Sequence, residues 1–153
     1  MNNQKDVYKL ANGVGIPCIG FGMWQMPDGE TGVNAVAKAI EAGYTHIDTA
    51  QAYENEDCVG EAIKKSGVSR DKLFVTTKIN NWNHSYDLVK STFDASLKKL
   101  QMDYVDLLLI HWPNPLKFRD HWQSANAETW KAMEELCEAG KVRAIGISNF
   151  RPH

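Results

Sequence analysis

Five apolar strand-like runs alternate with four helix-like segments along this chain, and that alternation limits the fold more than any other feature. The strand-like runs are Ile16–Gly22, His46–Ala50, Leu73–Ile79, Tyr104–Trp112 and Val142–Ser148. The segments between them are Thr31–Ala42, Glu56–Ser66, Ser85–Leu100 and Ala127–Ala139. Each carries apolar residues at helical spacing: Val33, Val36, Ala37 and Ile40; Val59, Ala62 and Ile63; Val89, Phe93, Leu97 and Leu100; Trp130, Met133, Leu136 and Cys137. Gly43, Gly67 and Gly140 stand where helices stop, and Ser85 stands at an N-cap position. Tyr8–Pro17 reads as a hairpin, with Asn12-Gly13 as the two positive-φ residues of a tight turn. Pro113–Asn126 reads as a polar loop.

The pattern is β(αβ)4 after an N-terminal hairpin, with strands spaced by one βαβ unit. Strands that alternate with helices build a parallel sheet covered by helices. Val105–Ile110 is apolar at nearly every position, which suits a strand buried on both faces. Two architectures satisfy this: a doubly wound open sheet, or part of an eight-stranded barrel. Gly20, Gly22 and Gly29 do not have the G-x-G-x-x-G spacing, which weakens a dinucleotide-binding open sheet.

Composition narrows the class. A chain of 153 residues is long enough for one domain with a sizeable core. Apolar residues make up 43% and charged residues 24%, a soluble globular balance. The net charge of −2, without a block of like charges, gives no footprint for nucleic acid or for an anionic membrane. Cys18, Cys58 and Cys137 are an odd number at wide spacing, which fits reduced thiols in a cytoplasmic protein better than disulfides or zinc. The polar start Met1–Lys5 leads into no apolar core segment, so no signal peptide is expected. No apolar run reaches membrane-spanning length.

In a parallel α/β sheet, sites form at the C-terminal ends of the strands. Four polar residues stand at or just past those ends: Asp48, Tyr53, Lys78 and His111. Asp48 and Lys78 close otherwise apolar runs, and charged groups there need partners. Tyr53, in the loop after Asp48, can lean over the same rim. An ammonium beside a phenol favours the phenolate, which suits Tyr53 to general acid catalysis. His111 can hydrogen-bond a substrate oxygen. Taken singly, each has a plainer reading: an ion pair, a loop aromatic, a satisfied histidine. Their shared rim is what favours chemistry. His46, His84, His121 and His153 lack metal-ligand spacing and read as surface or structural, so no metal is expected. Trp82, Trp112 and Trp122 lie in or beside rim loops and could line an apolar pocket.

Gly43–Gly60, with its Asp48-Thr-Ala-Gln-Ala-Tyr53 core, resembles the first signature of the aldo-keto reductases. Thr77-Lys78, Leu109–Pro113 and Gly140–Phe150 resemble later segments of the same family, so the likeness runs from about Tyr8 to Phe150. It implies a (β/α)8 barrel that reduces aldehydes or ketones with NADPH or NADH. It implies Tyr53 as proton donor, Lys78 and Asp48 as its tuners, and His111 as the group that orients the carbonyl. Gly22 and Met23 would lie near the nicotinamide, Asp48 would also contact the ribose, and Ser148 and Asn149 would bind the carboxamide. Trp24, Trp82 and Trp112 would shape the substrate pocket with His111. Thr45 replaces the arginine usual in the first signature, and the Asn80-Asn81 stretch before Trp82 is one that varies within the family. Barrels of this kind take about 250 residues. The expectation is therefore that residues 1–153 form the N-terminal part of one barrel domain, truncated after about strand five. Such a chain alone is expected to be weakly active or inactive and to self-associate through its open edges. The alternatives are an inert half-barrel and a non-catalytic binding subunit, the role that potassium-channel β subunits play with a similar scaffold.

Overall fold

Parallel strands need long crossovers, and each crossover here is a helix. The structure is a computed structural model that describes residues 6–152. Strands β1 (Val7–Lys9) and β2 (Gly15–Pro17) form an antiparallel hairpin with Tyr8 opposite Ile16. Then come β3 (Phe21–Gly22), α1 (Glu30–Glu41), β4 (His46–Asp48), α2 (Glu56–Ser66) and β5 (Phe74–Ile79). The chain continues through α3 (Tyr86–Leu100), β6 (Val105–Ile110), α4 (Trp122–Glu138) and β7 (Val142–Ile147). Strands β3 to β7 make one parallel sheet in chain order. Sequential neighbours throughout are the order of a barrel wall rather than of a doubly wound sheet, whose strand order reverses at a switch point.

The two faces of this sheet are packed differently. Ile47, Val75, Ile79, Leu108 and Ile110 bury against Val36, Val59, Phe93 and Met133 of the helices. On the other face Phe74, Leu107 and Ala144 pack against Leu10, Val14 and Ile16 of the hairpin. The hairpin thus plugs one end of that face, next to the strand starts. At the same end Asp106 is fully buried. Its carboxylate accepts from Arg70 at 2.6 Å, Arg143 at 2.7 Å and the Val75 amide at 2.9 Å. The Arg70 guanidinium also lies 4.2 Å over the Tyr104 ring. A buried carboxylate with two cations and a backbone donor has its charge compensated.

Several expectations need correction. Ile16 belongs to the hairpin, not to the first sheet strand, which is only Phe21–Gly22. Tertiary packing imposes that break: a methyl built on Gly20 would lie 2.6 Å from His46 Nδ1. In the hairpin turn only Gly13 has positive φ, at 84°. The turn is wider than two residues, closed by the Gly13 amide on the Leu10 carbonyl at 2.8 Å. Ser85 stands at the N-cap of α3 with extended backbone, but its hydroxyl makes no capping bond. Helix α4 starts at Trp122, inside the expected polar loop, because Ala125 adds a buried position ahead of Ala127. A 3-10 turn at Leu116–His121 fills most of the remaining loop. Trp130 and Cys137 are half-buried rather than central to the core. Met1–Lys5 and His153 lie outside the described residues, and with them the expectations of no signal peptide and of a surface or structural His153. Among the described residues no helix is long and apolar enough to cross a membrane.

Candidate active site

The expected rim constellation assembles at the C-terminal ends of β4, β5 and β6. Strand register brings Asp48 beside Thr76 and Lys78 beside Leu109. Lys78 is nearly buried, and its ammonium has three contacts: Asp48 Oδ1 at 2.5 Å, the Thr49 carbonyl at 2.9 Å and the Tyr53 phenol oxygen at 3.4 Å. Three donors thus find three acceptors. Because Lys78 donates to the phenol oxygen, the phenol's own hydrogen stays free for another acceptor. Asp48 is 37% exposed, so this ion pair is open to the rim. The ammonium also lies 4.9 Å from the centre of the Tyr53 ring.

His111 packs edge-on against Tyr53, with ring centroids 5.6 Å apart. It is 9% exposed, and its Nδ1 is buried without a hydrogen-bond partner. Burial lowers its pKa below the ordinary 6.5; the nearby Lys78 ammonium lowers it further, and Asp48 partly opposes. The imidazole is therefore neutral at neutral pH and can offer one donor and one acceptor.

A layer of polar residues holds Tyr53 in place, and most of it was not singled out from the sequence. Tyr53 ends a 3-10 turn, Gln51–Tyr53. Gln51 accepts from the Asn80 amide at 2.9 Å and from Asn83 Nδ2 at 3.1 Å, and donates to Ser96 Oγ at 3.1 Å. Fully buried Asn55 donates to the carbonyls of Met23 and Met26 and accepts from Thr49 Oγ1 at 2.8 Å. Buried Glu56 accepts from Thr77 Oγ1 at 2.6 Å, and desolvation raises its pKa despite that bond. The available signal was the run of polar residues directly after Asp48, in a stretch between buried elements.

The other expected site residues divide. Gly22 pairs with Asp48, and the Met23 amide donates to the Asp48 carbonyl at 2.9 Å. The Met23 side chain is fully buried in the core, so only its backbone borders the rim. Ser148 and Asn149 follow β7 beside His111: Asn149 Nδ2 donates to the His111 carbonyl at 2.8 Å and to Ser148 Oγ at 3.0 Å. Trp24, Trp82 and Trp112 are 69%, 59% and 48% exposed and do not line one cavity. Trp82 shares a cleft with Asn81, Pro115, Leu116 and Lys117. Trp112 shares another, of about 310 Å³, with Trp122, Asn149 and Phe150. His46 and His84 resolve to buried structural positions, while His121 is exposed. Among the described residues no group of three or more His, Cys, Asp or Glu could hold a metal ion.

Known proteins share the sequence pattern and the fold of this chain. The model of the aldo/keto reductase family matches residues 18–153. The 9,11-endoperoxide prostaglandin H2 reductase of Trypanosoma cruzi is 48% identical over 153 residues, covering 100% of this chain and 51% of that protein. The glyoxal reductase of Bacillus subtilis is 46% identical over 149 residues, covering 97% of this chain and 51% of the relative. Among solved structures, a Bombyx mori aldo-keto reductase in complex with NADP has a TM-score of 0.83 at 39% identity, covering 97% of this chain and 52% of that one. The chain spans about half the length of the curated relatives it matches.

Proposed function

The chain belongs to the aldo/keto reductase family, and from that premise we propose that residues 1–153 are the N-terminal part of one barrel domain that reduces small aldehydes or ketones to alcohols. The observation that carries this reading is the Lys78 ammonium, which joins Asp48 to the Tyr53 phenol with His111 against the same ring. The nicotinamide cofactor, NADPH or NADH, supplies the hydride when bound. Ser148 and Asn149 fit a carboxamide, because a hydroxyl and a side-chain amide stand together beside His111. The backbone of Gly22 and Met23, and Asp48, border the same rim. Tyr53, its phenol hydrogen free, would give that proton to the carbonyl oxygen, and the bound cofactor would supply the hydride to the carbon. The Lys78 ammonium at the phenol oxygen stabilises the negative charge left there, and Asp48 holds that ammonium in place. Neutral His111 orients the carbonyl oxygen by a hydrogen bond. Trp24, Trp82 and Trp112 contribute apolar walls. The glyoxal reductase among the relatives favours small, reactive carbonyl substrates. Free Cys18, Cys58 and Cys137 favour a cytoplasmic setting. The test is nicotinamide absorbance with glyoxal or a simple aldehyde as substrate; no turnover by the full-length protein would defeat it.

A second observation bears on the 153-residue chain by itself. Strands β3 and β7 pair on one side only among the described residues, and Ile147 is 52% exposed. Unpaired edges beside exposed apolar residues favour self-association. We propose that this chain alone associates with copies of itself and turns over substrate weakly or not at all. A stable monomer in sedimentation would contradict the first half, and full activity the second.

A further inference from the structure

His84 is 1% exposed at the end of the loop between β5 and α3. Its Nδ1 lies 3.2 Å from Asn126 Oδ1 on α4. Asn126 uses its Nδ2 to donate to the Pro113 carbonyl at 2.8 Å, so Oδ1 is the acceptor that faces the imidazole. The imidazole proton therefore belongs on Nδ1. The ring stacks on Phe118 with centroids 5.7 Å apart and an interplanar angle of 26°. A second tie runs parallel: Lys117 Nζ donates to the Trp82 carbonyl at 3.2 Å. The two segments so joined, residues 80–85 and 113–121, line one cleft through Asn81, Trp82, Pro115, Leu116 and Lys117. Trp82 at 59% and Leu116 at 72% exposure are large apolar side chains held out on the rim side.

We propose that His84 is a positioning residue for substrate recognition: it locks the β5–α3 loop to the β6–α4 connection, so that Trp82 and Leu116 stand as one apolar wall beside the catalytic rim. The recognition half rests on the carbonyl-reductase reading; the lock does not. The lock needs a neutral ring, because His84 Nε2 is buried with no partner and a proton there would be an uncompensated charge. Burial, the larger influence, lowers the His84 pKa, and the Asn126 bond opposes it. The titratable groups that reach it from the packed connection are Lys117 and His121, both through the Phe118 ring, and neither is a carboxylate that would stabilise a cation. The loop itself and the Asn126 contact add no charged group. Above the ordinary histidine value of 6.5 locked and released forms are both neutral. Below it the released form takes up the proton first, so the lock loosens as pH falls.

Hydrogen exchange, corrected for intrinsic rates, tests this on the protein at pH 7.5 and 5.5. In His84→Ala, residues 80–85 and 113–121 are expected to lose protection together while β5 and β6 keep theirs. His84→Asn places an amide donor near the Nδ1 position and cannot titrate; it is expected to keep protection at pH 7.5 and to abolish the extra exchange at pH 5.5. Unchanged protection in His84→Ala, or an acid response in His84→Asn equal to wild type, would overturn the lock. If His84→Ala fails to fold, the comparison of His84→Asn with wild type still decides. For recognition, the full-length reductase carrying His84→Ala should show KM for an apolar aldehyde raised about tenfold with kcat little changed. Equal losses in kcat and KM, or no change in KM, would overturn that half. Absence of carbonyl turnover in the unmutated full-length protein would defeat the reductase reading while leaving the exchange result intact.

Discussion

The two ends of this sheet each hold an acid beside a cation, and the two pairs are built to opposite designs. At the strand starts Asp106 is fully buried and takes two guanidinium bonds and a backbone amide. At the strand ends Asp48 is 37% exposed, and its partner Lys78 turns one of its three donors toward a phenol at 3.4 Å. The first arrangement satisfies its own charges and ties β6 to β7 and to the turn before β5. The second keeps capacity in reserve, in a free phenol hydrogen and in the unpartnered His111 Nδ1. A buried carboxylate with both oxygens bonded fixes geometry; a pair beside solvent, with a free phenol hydrogen next to it, can exchange protons. Nothing in the charges alone distinguishes them, because both are Asp with a basic residue.

The largest effect expected is on the open end. Tyr53→Phe should lower kcat/KM of the full-length protein by about 10²–10⁴, the usual range for loss of a general acid. Its thermal midpoint should barely move, because the phenol's contact with Lys78 is long. A variant that unfolds early would mean the phenol is structural, and the two ends would no longer differ in kind.

Gly20→Ala probes the boundary between them. The added methyl would lie 2.6 Å from His46 Nδ1 and would push the ring against Thr76, to which it hydrogen-bonds at 2.9 Å. Overpacking of this kind costs about 1–3 kcal/mol. Urea unfolding should show that loss, and an unchanged midpoint would mean that the hairpin junction yields freely.

These regions were not equally legible in the sequence. Asp48, Tyr53, Lys78 and His111 could be placed on one rim because strand ends follow from local pattern and a parallel sheet puts those ends on one side in either strand order. The bounds of α2 were read correctly for the same reason: Val59, Ala62 and Ile63 have the period and Gly67 the stop. Asp106 was read only as part of an apolar run. Its partners Arg70 and Arg143 are 36 and 37 residues away, and no local pattern joins them. The start of α4 was hidden because Trp122–Asn126 is polar in composition and only its packing shows Ala125 buried. His84 passed as an ordinary histidine because its stacking on Phe118 and its bond to Asn126 exist only once α3 and α4 are side by side.

Acid should weaken both ends through their histidines. Burial lowers the pKa of His46, with Asp48 opposing, and of His111, with Lys78 lowering it further. At pH above 6.5 folded and unfolded forms are both neutral there; below 6.5 the unfolded form binds protons first, so stability falls as pH drops. Urea midpoints at pH 7.5 and 5.5 should show a decline that is smaller in His46→Asn. Equal declines would remove His46 from the explanation. The smallest effect is expected outside either end. The exposed Lys141–Asp94 pair at 2.8 Å should contribute less than about 1 kcal/mol, so Lys141→Ala should leave the midpoint close to wild type.

The contrast between the ends is tested most directly by removing one cation from each, in Arg70→Met and Lys78→Met, and measuring unfolding free energy in urea. Arg70→Met leaves a fully buried carboxylate short of a partner and should cost about 3–5 kcal/mol. Lys78→Met removes a nearly buried ammonium and leaves a carboxylate that water can reach, so it should cost less than about 1 kcal/mol. Equal losses in the two variants would contradict the division into a closed end that holds the fold and an open end kept for chemistry.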